Sequence, residues 1–230
     1  MDENIPEKIQ QIRERIAFFE NLYQRSPNSV KLLAVSKTQS TEKIRLALAA
    51  AQHAFAENYL QEALEKITAL AQENIEWHFI GPIQSNKTRA IAEHFDWVHS
   101  VHRLKIATRL NEQRPAALPR LKVLIQVNLD QEVSKSGVNL DELLPLARAI
   151  NNLDRLELVG LMAIPTPGKD FQAQREGFRQ LRLARDQLIA AGLDQCQDLS
   201  MGMSADYEAA IAEGATLIRI GTDIFGPRNP

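Results

Sequence analysis

Eight short apolar runs follow one another along this chain, and a helix-forming stretch separates each from the next. The runs are KLLAVS (31–36), HAFAEN (53–58), EWHFIG (76–81), WVHSV (97–101), KVLIQVNL (122–129), LELVGLMAI (156–164), DLSMGM (198–203) and TLIRIG (216–221). Between them lie patterns such as TEKIRLALAAA, LQEALEKITALAQ and the long FQAQREGFRQLRLARDQLIAAG. A strand that leads into a helix must cross over to reach the next strand, so the repetition dictates a parallel sheet. Eight such units favour a closed (β/α)8 TIM barrel over an open doubly wound sheet. The open sheet is further weakened because no G-x-G-x-x-G follows the first run. A chain of 230 residues suits one α/β domain spanning residues 1–230, with no linker or low-complexity segment to divide it. One departure from a regular barrel is visible: almost nothing follows the eighth strand. An amphipathic helix over residues 4–25, with Ile5, Ile9, Ile12, Ile16 and Phe19 on one face, is expected to take the place of the eighth helix. Ser26-Pro27-Asn28 ends it.

Charge and cysteine content close off several classes of function. Twenty-seven basic against 29 acidic residues leave a net charge of −2, and no basic stripe suggests nucleic acid as a partner. A lone cysteine, Cys196, excludes an intramolecular disulfide and any zinc site built on cysteines. The polar N-terminus carries no apolar signal core, and no apolar run is long enough to span a membrane. The chain is therefore expected to be cytoplasmic, without membrane association.

In a barrel the C-terminal strand ends converge on one mouth, where function sits. The first strand delivers Ser36-Lys37-Thr38 there, the second Glu57-Asn58-Tyr59, the seventh Met203-Ser204 and the eighth Arg219, Gly221 and Thr222. A lysine in a partly desolvated mouth gains amine character and condenses with carbonyls. On position alone, a lysine past a strand end is more often a solvated loop residue. Small and hydroxylic residues after the seventh and eighth strands suit a phosphate, and the eighth strand neighbours the first in a closed barrel. Lysine and phosphate site together suit a phosphorylated aldehyde, which leaves a Schiff-base aldolase for sugar phosphates open. Arg219 taken alone also suits an ion pair with Asp223 or Glu57. The five histidines look scattered, His99 and His102 diverge, and His78 reads as a core residue, so no metal site is expected. Met201 and Met203 read as core packing. Gln84-Ser85-Asn86-Lys87 suits a helix N-cap as well as a ligand contact.

Seven ordered motifs, LLAVSKTQ, FAEN, WHFIGPIQSNK, QVNLDQEVSKSG, GLMAIP, LSMGMSADYEAAI and IRIGTDIFG, carry a resemblance to the pyridoxal phosphate homeostasis protein family. The family is similar to the barrel domain of alanine racemase, the fold-type III arrangement. The resemblance implies that pyridoxal 5′-phosphate (PLP) binds at the mouth as a Schiff base with Lys37. Ser204, Gly221 and Thr222 would cradle its phosphate, Arg219 would face the pyridine nitrogen, and Asn58 and Met203 would line the ring pocket. It also implies a role in control of free vitamin B6 and of amino- and keto-acid balance, without established catalysis and with no catalytic residue to assign. Apo-enzymes that need PLP are the expected recipients, and Lys87 and Lys135 are secondary candidates for transient contact with the cofactor. An arginine at the pyridine nitrogen can only donate, which weakens electron-sink catalysis. Because the chain ends at Pro230, the second domain from which racemases take a base is expected to be absent. The remaining alternative is a minimal amino-acid racemase or decarboxylase. A near-neutral surface without that domain suggests a monomer.

Overall fold

The apolar runs form the eight strands of a closed, parallel barrel in the computed structural model, which describes residues 4–130 and 136–226. The strands are β1 (Lys31–Val35), β2 (Ala54–Glu57), β3 (Glu76–Phe79), β4 (Trp97–Val101), β5 (Leu121–Gln126), β6 (Leu156–Met162), β7 (Asp198–Ser200) and β8 (Leu217–Ile220). They pair in chain order, and β8 returns to β1 with Arg219 opposite Leu33. All but β4 stop one to three residues before the apolar run ends. Those last residues lead into the mouth loops while several still bond the neighbouring strand: the amides of Ser36, Ile80, Ala163 and Met201 donate to the carbonyls of Ala56, Glu57, Ser200 and Leu217.

Two apolar layers result from the period-2 alternation of the strands. Residues such as Phe55, Phe79, Val123 and Ile218 point outward and pack under the helices. Leu33, Ala54, Ala56, Trp97, Leu124 and Leu217 point inward and form a second, smaller cluster. The inner layer is not wholly apolar. His78, His99, Ser200 and Arg219 are buried as well, and each occupies an inward position on its strand.

The outer ring comprises α1 (Ile5–Leu22), α2 (Thr41–Ala49), α3 (Leu60–Ala69), α4 (Thr88–His94), α5 (Leu104–Gln113), α6 (Leu140–Asn151), α7 (Phe171–Ala190), α8 (Tyr207–Ala212) and the single turn α9 (Thr222–Phe225). At the start of α1 the Asn4 side chain accepts from the Glu7 amide, and Pro6 sits in the first turn. Its stripe of Ile5, Ile9, Ile12, Ile16 and Phe19 is buried against α2, α8 and α9. Burial of each such side chain contributes about 1.5–3 kcal/mol. The four residues of α9 cannot cover β8 and β1, and α1 fills that gap as the sequence suggests. Glu20, near the end of α1, accepts from the amides of Asn28 and Val30, which fastens the loop that delivers β1.

The helix that follows β7, α8, begins only at Tyr207. Asp206 accepts from the Met203 amide and donates its own amide to the Met203 carbonyl, so residues 203–206 close a turn instead of a helical start. The turn follows Gly202, whose φ of +94° is readily open only to glycine. It keeps Met203 and Ser204 at the mouth.

Candidate functional site

A cavity of about 170 Å³ opens at the C-terminal end of the barrel, lined by Lys37, Asn58, Met203, Arg219, Gly221 and Thr222 among others. Residues contributed by β1, β2, β7 and β8 meet there because those strands neighbour one another around the closed sheet. A cleft of about 340 Å³ adjoins it and shares Asn58, Ile80 and Ile164 with it. Two other cavities of comparable size lie at the opposite end. One lies between α1 and the starts of β1 and β2, the other at the starts of β3 and β4, so size alone does not single out the site. The mouth cavity is distinguished by its donor set: the amine of Lys37, the guanidinium of Arg219, the carboxamides of Gln39 and Asn58, and the hydroxyl and amide of Thr222. As the first residue of α9, Thr222 has no helical acceptor for its amide.

Lys37 is half-buried and stands on a braced segment. The residue before it, Ser36, is fully buried, and its hydroxyl donates to Glu57 Oε1 at 2.6 Å. Lys66 of α3 reaches behind this point, with its Nζ at 2.6 Å from the Ser36 carbonyl, 2.7 Å from Glu57 Oε1 and 2.6 Å from Glu62 Oε1. Glu62 also accepts from the amide of Thr38 at 2.5 Å. Thr38 holds φ at +65°, an uncommon value for a threonine that needs such support. Burial pushes the Glu57 carboxyl up, while the charge and hydrogen bond of Lys66 oppose the shift. Among the described residues, Glu57 Oε2 has no hydrogen-bond partner.

Arg219 pairs with neither carboxylate that its sequence position suggests. Its NH1 donates to the Ser200 carbonyl at 2.6 Å and to Ser200 Oγ at 2.7 Å, and its NH2 donates to the Ala163 carbonyl at 3.1 Å. Burial lowers its pKa to about 10, with the charge of Asp206 working against the shift. The group therefore remains a cation at neutral pH. A guanidinium carries five N–H groups, and among the described residues three have protein partners, which leaves two for the cavity that Arg219 lines.

Ser204 sits beside Met203 and is partly exposed, but it does not line the cavity. Met201 is core, as expected, whereas Met203 is 38% exposed and belongs to the mouth. Lys87 lies exposed in a short 3₁₀ turn, Ser85–Lys87, that leads into α4, and it lines neither mouth cavity. Glu132 and Lys135 lie outside the described residues. Tyr59 is largely exposed and Tyr207 is buried against Phe19; neither lines the cavity. Among the described residues, no cluster of three or more metal-ligating side chains occurs, and no helix is long and apolar enough to cross a membrane.

Sequence reasoning missed the brace of Glu57, Glu62 and Lys66. The i,i+4 spacing of Glu62 and Lys66 was its one readable signal, and that spacing more often marks a solvated helix face. It also took the histidines for scattered residues, whereas His78 and His99 meet inside the barrel at 2.9 Å.

Comparison with known proteins agrees with this fold. The family described as alanine racemase, N-terminal domain, matches residues 8–229. A crystal structure of alanine racemase from Corynebacterium glutamicum superposes with a TM-score of 0.65 at 18% identity, covering 95% of this chain and 61% of that one. Fold and mouth together define an alanine-racemase-type barrel. More similar proteins narrow this. Proteins named pyridoxal phosphate homeostasis protein are 50% identical in Escherichia coli K12, over 98% of this chain and 97% of that protein, and 55% identical in Pseudomonas aeruginosa, over 98% and 96%. PipY of Synechococcus elongatus, solved with PLP bound, is 37% identical with a TM-score of 0.81, covering 92% of this chain and all of that one. The chain belongs to the pyridoxal phosphate homeostasis protein family.

Proposed function

We propose that the mouth cavity binds pyridoxal 5′-phosphate and that the protein controls the free supply of this cofactor and, through it, amino- and keto-acid balance. The observation that carries this reading is the pairing, in one cavity, of an amine on a braced strand end with a buried guanidinium that keeps two N–H groups in hand. PLP presents the matching groups: an aldehyde for the amine, an acceptor nitrogen for the guanidinium, and a dianionic phosphate. When bound, the cofactor supplies a carbonyl that links reversibly to amines and a ring that can withdraw electrons.

In this reading Lys37 holds the cofactor through its amine, and the brace of Glu57, Glu62 and Lys66 keeps that amine at the cavity wall. Asn58 and Met203 bound the ring. Thr222, through its hydroxyl and amide, would hold the phosphate together with Gly221, with the hydroxyl of Ser204, next to the cavity-lining Met203, completing the cradle. Gly221 is suited to close approach: a Cβ there would stand 3.3 Å from the Val35 carbonyl oxygen. Arg219 donates to the ring nitrogen and cannot surrender a proton to it at neutral pH, so that nitrogen stays unprotonated and electron withdrawal is muted. Among the described residues that line the cavity, no carboxylate, histidine or tyrosine stands beside Lys37 to act as a second base. This favours holding and release over turnover. The same reading makes the protein a single-domain, cytoplasmic monomer that hands PLP to apo-enzymes.

The test is reduction with borohydride after addition of PLP. A visible absorption band that reduction abolishes, with the cofactor mass fixed on Lys37 and both lost in Lys37→Ala, is the expected result. A protein that remains colourless with excess PLP would overturn the assignment.

A further inference from the structure

Arg219 is not the end of its hydrogen-bond chain. Ser200 Oγ, which accepts from Arg219 NH1 at 2.7 Å, lies 2.8 Å from His99 Nδ1. His99 Nε2 lies 2.9 Å from His78 Nδ1, and His78 Nε2 lies 2.6 Å from Glu76 Oε1. Glu76 begins β3 at the floor of the barrel, where it also pairs with Lys31. The four side chains and Arg219 come from β3, β4, β7 and β8, and His78, His99 and Ser200 are wholly buried. The chain thus crosses the barrel from its floor to its mouth.

Chemistry fixes the direction of every bond in it. Arg219 can only donate and an ionised Glu76 can only accept. Burial lowers His78 to about 4, against the pull of Glu76, and holds His99 well below its ordinary value; both rings are neutral at pH 7 and carry one N–H each. Burial opposes ionisation of Glu76, yet its bonds to His78 and Lys31 outweigh this and hold it at about 2. His78 must therefore donate from Nε2 to Glu76 and accept at Nδ1. His99 must donate from Nε2 and accept at Nδ1, and Ser200 must donate its hydroxyl proton to His99. All the donors point away from Arg219. Each dipole turns its negative end toward the buried cation and its positive end toward Glu76, so both charges are stabilised by one chain. The surroundings reinforce this polarity: Trp97 stacks on His78, Lys31 and Lys122 lie at the floor over Trp97, and Asp206 acts on Arg219 from the mouth.

We propose that Glu76, His78, His99 and Ser200 are a one-directional hydrogen-bond relay that holds the Arg219 guanidinium oriented toward the cofactor ring, with His99 as the central positioning residue. The proposal rests on the PLP reading above. With the Ser200 proton committed to His99, Ser200 Oγ is left as an acceptor and anchors NH1. The two uncommitted N–H groups of Arg219 then face the cavity. Loss of the relay frees the Ser200 hydroxyl to rotate and removes the aligned dipoles, which weakens the grip on the ring nitrogen without touching Lys37.

The experiment compares wild type with His99→Leu, which cuts the relay, and His99→Gln, whose amide can donate to His78 and accept from Ser200. ¹⁵N NMR of the cofactor-free protein reads the tautomers, and PLP titration reads affinity and the pH at which the visible band of bound cofactor shifts. Expected are Nε2–H tautomers for both His78 and His99, a loss of PLP affinity of about tenfold with a moved pH midpoint in His99→Leu, and near wild-type behaviour in His99→Gln. Tenfold corresponds to the loss of one hydrogen bond to a charged group. Nδ1–H tautomers, or unchanged affinity and midpoint in His99→Leu, would overturn the relay. If His99→Leu does not fold, Ser200→Ala carries the same titration with the same expectation. A wild type that fails to bind PLP would sink the cofactor reading, while the NMR tautomers would still decide the relay.

Discussion

Lys66→Met is the perturbation whose consequence the structure specifies most fully. The variant keeps most of the side-chain volume and removes one charge, which holds three oxygens within 2.7 Å. Glu57 is 0% exposed, and its nearest compensating cation would be gone, leaving the Ser36 hydroxyl as its hydrogen-bond donor. Removal of one partner from a buried pair costs about 3–5 kcal/mol. For a chain of this size that corresponds to a fall in Tm of roughly 6–20 °C. The deficit should depend on pH in a definite direction. Burial already raises the Glu57 carboxyl, and without Lys66 it rises further, so its folded-state pKa lies above the unfolded value. Such a group stabilises the folded state while protonated and is a liability once pH rises through its folded-state pKa. The variant should therefore be nearest to wild type at acidic pH and furthest from it at pH 8. Urea denaturation at pH 5 and pH 8, with PLP titration alongside, measures both consequences, because Ser36 and Thr38 lose the brace that fixes Lys37. A second change, Glu57→Leu on the Lys66→Met background, should restore stability by removing the stranded charge. A Lys66→Met protein within 1 kcal/mol of wild type at pH 8, or a double variant less stable than the single one, would refute the reasoning.

Two further outcomes are expected. In Gly81→Ala the new Cβ would stand 2.0 Å from the Asn58 carbonyl oxygen, so Asn58 must move; weaker PLP binding accompanied by a lower urea midpoint is expected, and binding equal to wild type would show that Asn58 does not bound the cofactor. His78, at about 4 when folded against about 6.5 unfolded, contributes stability that is complete above pH 6.5 and is lost as pH falls toward 4. The loss amounts to about 3 kcal/mol, and a urea midpoint that stays flat from pH 6.5 to pH 4 would contradict it.

Much of this architecture can be read from local pattern. Period-2 apolar runs and helical spacing depend on neighbours in the chain, and eight alternations leave little choice but a parallel barrel. That barrel in turn brings Lys37, Asn58, Met203, Arg219, Gly221 and Thr222 to one mouth, since the C-terminal ends of parallel strands share a face. The precise strand ends were less legible, because an apolar run does not say where the ladder stops and a ligand loop starts. The polar groups behind the mouth were not legible at all. His78 and His99 are 21 positions apart, Ser200 is another 101 further on, and only the closure of the barrel brings their inward side chains within reach of one another. Lys66 reads as one more helix-surface lysine until α3 packs on β2 and buries it against Glu57. Sequence alone determined the fold and, Ser204 excepted, which residues line the mouth cavity, because strand order and strand ends follow from periodicity. Tertiary structure decided how Lys37 is braced and how Arg219 is held and charged, because that depends on desolvation and hydrogen bonds between strands far apart in the chain.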